Sequence, residues 1–218
     1  MTNPEFHHDQ DTRMPIPQDI HLDAFLKILV DAKLPLDTYG EGPAKTVHHL
    51  FKEVQEGESM MSVDAKGNVT REVSVLWVDV FCSLSNGDLY RLTEDRQVFK
   101  DGRKDNVKRR TLSTSLGEKL KPGEDPAEAV ERAIAEELGI EDGLETVHFV
   151  GTEDAEHTPD TYPGLKSFYH NFKYAAVISE TAFNPEGYIE DQSDKTNYYV
   201  WEKIAEGVVS GNSQFSAE

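Results

Sequence analysis

The sequence predicts a mixed α/β (α+β) sandwich preceded by a helical N-terminal extension. Three observations carry that prediction. Two segments near the N-terminus repeat apolar residues at helical spacing. From Lys66 onward the texture alternates and is rich in β-branched and aromatic residues, as half-buried strands are. One glutamate-rich helix with strong end signals then interrupts the strands, and more strands follow it. Strands, one central helix and further strands indicate a mixed sandwich rather than a regular βαβ series.

The elements follow in chain order. Residues 1–18 read as a flexible arm, and His7–His8 is too short a pair for a metal tract. Residues 19–65 form the helical extension. Leu22, Phe25, Leu26, Leu29 and Val30 share one helical face, with Pro35 and Gly40 beyond its end. A second helix is expected from Pro43, with Val47, Leu50, Phe51 and Val54 as its apolar stripe and Gly57 as its stop. His48 and His49 are adjacent, so they point about 100° apart and do not share a metal. Both read as surface or packing residues. The stretch "YGEGPAKTV" reads as a plain helix start, with Gly40, Gly42 and Lys45 as a small anion nest as the alternative. Without a Gly-Lys-Ser/Thr ending it is not a P-loop.

Residues 66–206 form the main domain, and 207–218 a loose tail. "REVSVLWVDVFCSLSNGDLYRLT" reads as two strands around an Asn86-Gly87 hairpin. A third strand is expected through "KRRTLSTSL". Later strands are expected in "TVHFVGTEDAE", "SFYHNFKYAAVIS" and "NYYVWEKI". Trp77 and Trp201 are expected in the core. Tyr162 and Tyr169, in "TYPGLKSFYH", read as packing residues, with stacking on a base or sugar as the alternative.

Composition narrows the function classes. The chain has 218 residues, enough for one large domain without staples. Asp and Glu total 41 against 22 Lys and Arg, a formal charge of −19. That field repels nucleic-acid backbones and anionic membranes, so neither is an expected partner. An anionic small molecule would need local cations. The single cysteine, Cys82, excludes an intrachain disulfide and reads as a buried small hydrophobe. No run reaches the roughly 20 apolar residues of a membrane span, and the N-terminus lacks a signal-peptide core. A cytoplasmic, reducing location is the expectation.

The informative stretch is "GEKLKPGEDPAEAVERAIAEELGI", Gly117 to Ile140. Asp125 suits an N-cap and Pro126 the first helical position. Val130, Ile134 and Leu138 follow at i+4 steps, and Gly139 suits the C′ position. Glu136 and Glu137 lie beside that stripe, with Ala129 and Ala133 on the same side. Arg132 sits one turn before Glu136 and can brace it. Two neighbouring carboxylates repel each other, and a hard divalent cation relieves the repulsion. On the helix alone, a solvated acidic face is the simpler explanation of the pattern.

The register adds to this. Glu124, seven residues, Arg132, Ile134, Glu136-Glu137, Gly139 and Ile140 resemble the Nudix box, G-x5-E-x7-R-E-U-x-E-E-x-G-U. Seven of its nine defined positions match. The first box glycine is replaced by Glu118, with Gly117 one residue earlier, and the Glu after the box arginine is Ala133. The resemblance implies a Nudix-like α/β/α sandwich with a mixed sheet. It also implies hydrolysis of a pyrophosphate bond in a nucleoside-diphosphate-linked or related small molecule, with Mg2+ or Mn2+.

Carried over position by position, Glu136 and Glu137 match metal ligands and catalytic residues, and Arg132 the orienting arginine. Glu124 and Gly139 match structural positions of the box. The Ala133 position usually supplies another metal-site carboxylate. Three readings of its loss stay open: Glu118 compensates, an acid from "GYIEDQSDKTNYYVW" (Glu190 or Asp191) completes the metal site, or catalysis is lost. In the last case the domain binds a nucleotide or a protein partner in a regulatory role. Lys119, Lys121 and Arg110, with Arg109, are the candidate substrate-binding cations. The N-terminal helices are placed to cover the sheet, shape the pocket or form a homodimer.

Overall fold

The computed structural model describes residues 13–100, 106–109 and 114–204. The chain divides into two compact units, each with its own apolar core.

The first unit comprises Met1–Ser74 and Asp154–His170. Helix α1 spans Leu22–Asp31 and buries Phe25 and Leu29. Helix α2 spans Val47–Gln55 and buries Leu50 and Val54. It begins four residues later than Pro43 suggested, because Thr46 is the N-cap. The His49 amide donates to Thr46 Oγ1 at 3.3 Å, and the Thr46 amide donates to His49 Nδ1 at 3.3 Å. His49 thus closes a capping box in the place usually taken by Glu or Gln, a role its neighbour His48 cannot share.

Residues 13–18 of the expected arm are built into the unit. Strand β1 (Met14–Pro15) pairs antiparallel with β2 (Met60–Val63), and β2 pairs with the start of β3 (Val69–Ser83). Ile16 is buried and its amide donates to Met61 O at 2.7 Å. Tyr162 and Leu165, from the far segment, complete the core around Phe25, Leu29, Leu50 and Val54. The helical extension therefore shares its core with residues more than a hundred positions away in sequence, which a linear reading does not contain.

The second unit comprises Val75–Glu153 and Asn171–Glu218. Strand β3 turns into β4 (Leu89–Phe99) through the expected hairpin, where Gly87 N donates to Leu84 O at 2.9 Å. The single strand expected through "KRRTLSTSL" is two. Strand β5 (Val107–Lys108) pairs with β4, whereas β6 (Leu116–Lys119) pairs with β3; residues 110–113 lie outside the described part. Helix α3 (Pro126–Leu138) follows β6. Strands β7 (Leu144–His157) and β8 (Lys166–Ile178) pair with each other. Strand β9 (Tyr188–Asp191) pairs antiparallel with β10 (Lys195–Lys203), which also pairs antiparallel with β4. The core joins Leu76, Val78, Val80 and Cys82 to Val130, Ile134 and Leu138 of α3. Each of those three helix side chains contributes roughly 1.5–3 kcal/mol of burial.

Trp77 and Trp201 are half-buried rather than core residues. The physical reason is the indole N–H, which needs an acceptor. Trp77 Nε1 donates to Asn171 Oδ1 at 2.8 Å and Trp201 Nε1 to Asn184 O at 3.0 Å. Trp77 also explains Gly117, its cross-strand partner. A Cβ on Gly117 would overlap the Trp77 ring. That glycine serves packing. Among the described residues no helix is long and apolar enough to cross a membrane.

Candidate functional site

The site is assembled from β6, the loop after it, α3, β9 and β10. Helix α3 starts as its local sequence dictates: Asp125 Oδ1 accepts from Ala127 N at 2.7 Å, Pro126 opens the first turn, and Gly139 closes the helix at φ 67°. The loop is locked onto the helix by Arg132. Its Nε donates to Glu124 Oε1 at 2.6 Å and its Nη2 to Glu124 Oε2 at 3.0 Å, a bidentate pair. Arg132 Nη2 also reaches Lys119 O at 3.3 Å, and Nη1 reaches Glu136 Oε2 at 2.8 Å. Both the Arg132 and Glu124 side chains are less than one-fifth exposed. The guanidinium holds the Glu124 carboxyl below the usual range, and the Glu124 carboxylate raises Arg132 in turn.

Glu136 and Glu137 do not converge. Glu136 is half-exposed, and its carboxylate is taken by Arg132, with Lys121 Nζ 3.7 Å away. Glu137, one residue on and about 100° around the helix, is 8% exposed. Its Oε2 accepts a hydrogen bond from the Tyr199 hydroxyl. Burial pushes the Glu137 carboxyl up to about 7; the Tyr199 bond opposes this, and the charges of Glu190 and Glu118 reinforce it. Lys195 pulls in the other direction.

The two candidate replacements for the missing acid therefore both act electrostatically on Glu137. Glu118 lies on β6, with its Oε1 accepting from the Lys119 amide at 3.0 Å. Glu190 lies on β9, with its Oε2 accepting from Asn197 Nδ2 at 2.5 Å. Asp191 belongs elsewhere: successive strand residues face opposite ways, and Asp191 pairs with Lys100 at 2.7 Å. Ala133 is fully buried in the core beside Ala129 and Ile134. The position where the resemblance looks for a carboxylate is a sealed apolar one. Among the described residues no group of three or more His, Cys, Asp or Glu is arranged to hold a metal.

Two of the expected substrate cations face acids. Lys121 faces Glu136, Lys119 lends its carbonyl to Arg132, and Arg109 contacts Asp95. Arg110 lies outside the described residues. Tyr162 is a fully buried core residue that donates to Glu53 Oε1 at 2.9 Å. Tyr169 stacks on His157 with ring centroids 4.5 Å apart.

Sequence reasoning missed the β10 side of the site. Asn197 and Tyr199, two apart on one face of β10, are both buried, and they donate to Glu190 and Glu137 respectively. Glu94 and Gln97 on β4 lie opposite them in register, Tyr199 to Glu94 and Asn197 to Gln97. Both are buried, with Gln97 Nε2 donating to Glu94 Oε2 at 3.3 Å. The available signal was the strand alternation in "KTNYYVW", which puts Lys195, Asn197 and Tyr199 on one face.

One comparison with known proteins agrees with the box. The sequence model of the NUDIX domain matches residues 91–208, more than half of the chain. No curated protein matches. Similar solved structures include the C. elegans Ap4A hydrolase, at 18% identity over 60% of this chain and 79% of that one, TM-score 0.31. A binary complex of a C. elegans Ap4A hydrolase gives 16% identity, the same coverages and TM-score 0.35. The T. brucei MERS1–RNA complex gives 19% identity over 49% of this chain and 34% of that one, TM-score 0.32. With the family model spanning β4 to the end of β10, and the loop–arginine–helix unit in register inside it, the chain belongs to the Nudix family.

Proposed function

We propose that this protein hydrolyses a pyrophosphate bond in a nucleoside-diphosphate-linked or related small molecule, using Mg2+ or Mn2+. The observation that carries this reading is the buried Glu137 carboxyl, pushed up to about 7 by burial and by the charges of Glu190 and Glu118, on a helix that Arg132 and Glu124 lock in place. Burying one carboxylate near two others is costly unless something positive joins them. The donor set is oxygen only, which suits a hard divalent cation. Glu137 and Glu190 would hold it, with Glu118 in electrostatic reach. When bound, the cation would neutralise phosphate charge and polarise the attacking water.

The chain's own residues supply the rest. Arg132 fixes the loop between β6 and α3 and keeps Glu136 aligned with the helix. Tyr199 and Asn197 orient Glu137 and Glu190. Lys195, on the site face of β10, Lys119, at the end of β6, and Lys121, on the box loop, are the cations this reading assigns to substrate phosphates. The net charge of −19 favours a small anion over a nucleic-acid backbone.

The buried Ala133 supports a second reading, a silent domain that binds nucleotide or a protein partner. One experiment separates the two: Mn2+-dependent release of phosphate or nucleoside monophosphate from a panel of dinucleotides, repeated with Glu137→Gln and Glu118→Gln. The hydrolase reading expects turnover that Glu137→Gln abolishes. Nucleotide binding without turnover favours the silent domain. Turnover untouched by both variants overturns the site.

A further inference from the structure

One polar atom in this site is unexplained. Asn197 is 3% exposed, and its Oδ1 is buried with no hydrogen-bond partner among the described residues. A buried acceptor left unpaired costs about 1–3 kcal/mol. The amide cannot be turned to remove the problem. Nδ2 donates to Glu190 Oε2 at 2.5 Å. Exchanging the two amide atoms would set an oxygen against a carboxylate. The orientation is therefore dictated by Glu190, and Oδ1 is the atom left over.

Its surroundings indicate what it lacks. Asn197 lies two residues from Tyr199 on the same strand face, and their acidic partners are Glu190 and Glu137. The neighbouring side chains across the ladder are Gln97 and Glu94. The side-chain oxygens here come from the carboxylates of Glu94, Glu137 and Glu190 and from the Asn197 and Gln97 amides, with Glu190 Oε1 also accepting from Gln192 Nε2 at 2.5 Å, and a hard cation is the ligand that such an oxygen set recognises. The acids do not form a three-membered metal group by themselves, and Ala133 contributes a buried methyl where an acid would complete one. An amide oxygen is a normal ligand for a hard cation and brings no further negative charge into a buried site.

We propose that Asn197 Oδ1 is a direct ligand of the divalent cation, supplying, together with Glu137 and Glu190, the oxygen that Ala133 does not provide. This rests on the metal-dependent reading above. It assigns Asn197 two separable roles: Nδ2 orients Glu190, and Oδ1 faces the cation.

Substitution separates the roles. Asn197→Asp keeps an oxygen in place of Oδ1, adds a negative charge and loses the donor to Glu190. Asn197→Leu removes both. Mn2+ binding at pH 8 is measured by titration calorimetry and by the loss of the free-ion electron paramagnetic resonance signal. The full chain, Asn197→Asp, Asn197→Leu and Glu137→Gln are compared, and each variant's metal-free melting curve reports folding. Direct ligation expects Asn197→Asp to bind Mn2+ about tenfold more tightly and Asn197→Leu at least about tenfold more weakly. Weakening by both variants overturns the proposal, because it leaves Asn197 as an orienting donor alone. Unchanged affinity in both also overturns it. In either case, loss of binding in Glu137→Gln keeps the hydrolase reading standing. A wild-type chain that binds no Mn2+ overturns both. If Asn197→Leu fails to fold, the sign of the Asn197→Asp effect decides.

Discussion

Glu53 in the first unit and Glu137 in the second are both buried, and the two are treated differently. In the first, Glu53 is 5% exposed. It accepts from Arg71 Nη2 at 2.8 Å, Ser59 Oγ at 3.0 Å, Lys45 Nζ at 3.0 Å and the Tyr162 hydroxyl at 2.9 Å. Arg71, itself buried, also donates to Ser59 and lies over the Tyr162 ring. In the second, Glu137 is bonded by a phenol and sits in the field of two further carboxylates. A buried charge surrounded by donors and an opposite charge is architecture. One set among like charges keeps a raised pKa and is a candidate for chemistry. The contrast separates the two without reference to the family.

The contrast can be broken at several points. The largest effect is expected from Arg71→Ala, which leaves Glu53 buried without its guanidinium. It should cost about 3–5 kcal/mol in urea unfolding. Mn2+ affinity of the folded fraction should stay unchanged, and a coupled loss would show that the Arg71–Glu53 pair is more than architecture.

Next is Glu137→Gln. Glu137's pKa is raised from the usual 4.5 to about 7. The folded state thus holds a proton that the unfolded state releases between those values. Its favourable contribution is complete below about pH 4.5 and is lost as pH rises through 7. Without metal, Glu137→Gln should match wild type near pH 4 and exceed it by about 3 kcal/mol at pH 8. A pH-independent difference would contradict the assigned burial. Mn2+ binding by the wild type should strengthen across the same window, because the cation competes with that proton.

Ala133→Glu restores the box and tests whether the position is sealed. Forcing a larger, charged side chain into a fully buried site should cost about 1–3 kcal/mol or more in the metal-free protein. A variant as stable as wild type would show that Ala133 borders solvent after all. The smallest effect is expected from Asp125→Ala, which removes the α3 N-cap. About 1 kcal/mol should be lost in thermal unfolding, with little change in Mn2+ affinity, because Arg132 still ties the helix to its loop.

How far the sequence could be read depended on distance along the chain. Asp125, Pro126 and Gly139 marked the ends of α3. Arg132, Glu124 and Glu136 were legible as a brace because helix geometry and one short loop place them together. Glu190 was readable as a candidate acid, but its separation from Asp191 was not, since the face of β9 is set by its pairing with β10. The start of α2 was misplaced because Thr46 and His49 form a capping box without its usual acid.

By itself, then, the sequence determined the family, the box helix with its caps and brace, the hairpin at Asn86-Gly87 and the absence of a box carboxylate at Ala133. Only the tertiary structure decided that Glu137 turns inward while Glu136 stays with Arg132. It also decided that Asn197 meets Glu190 and that Tyr199 meets Glu137 across 62 residues. Helix ends and i,i+4 pairs are governed by interactions within a few residues. Burial, strand register and the shift in the β4–β10 ladder, where Tyr198 pairs with Arg96 and Tyr199 with Glu94, are governed by contacts between distant segments, and those contacts decide which polar atom of the site is left without a partner.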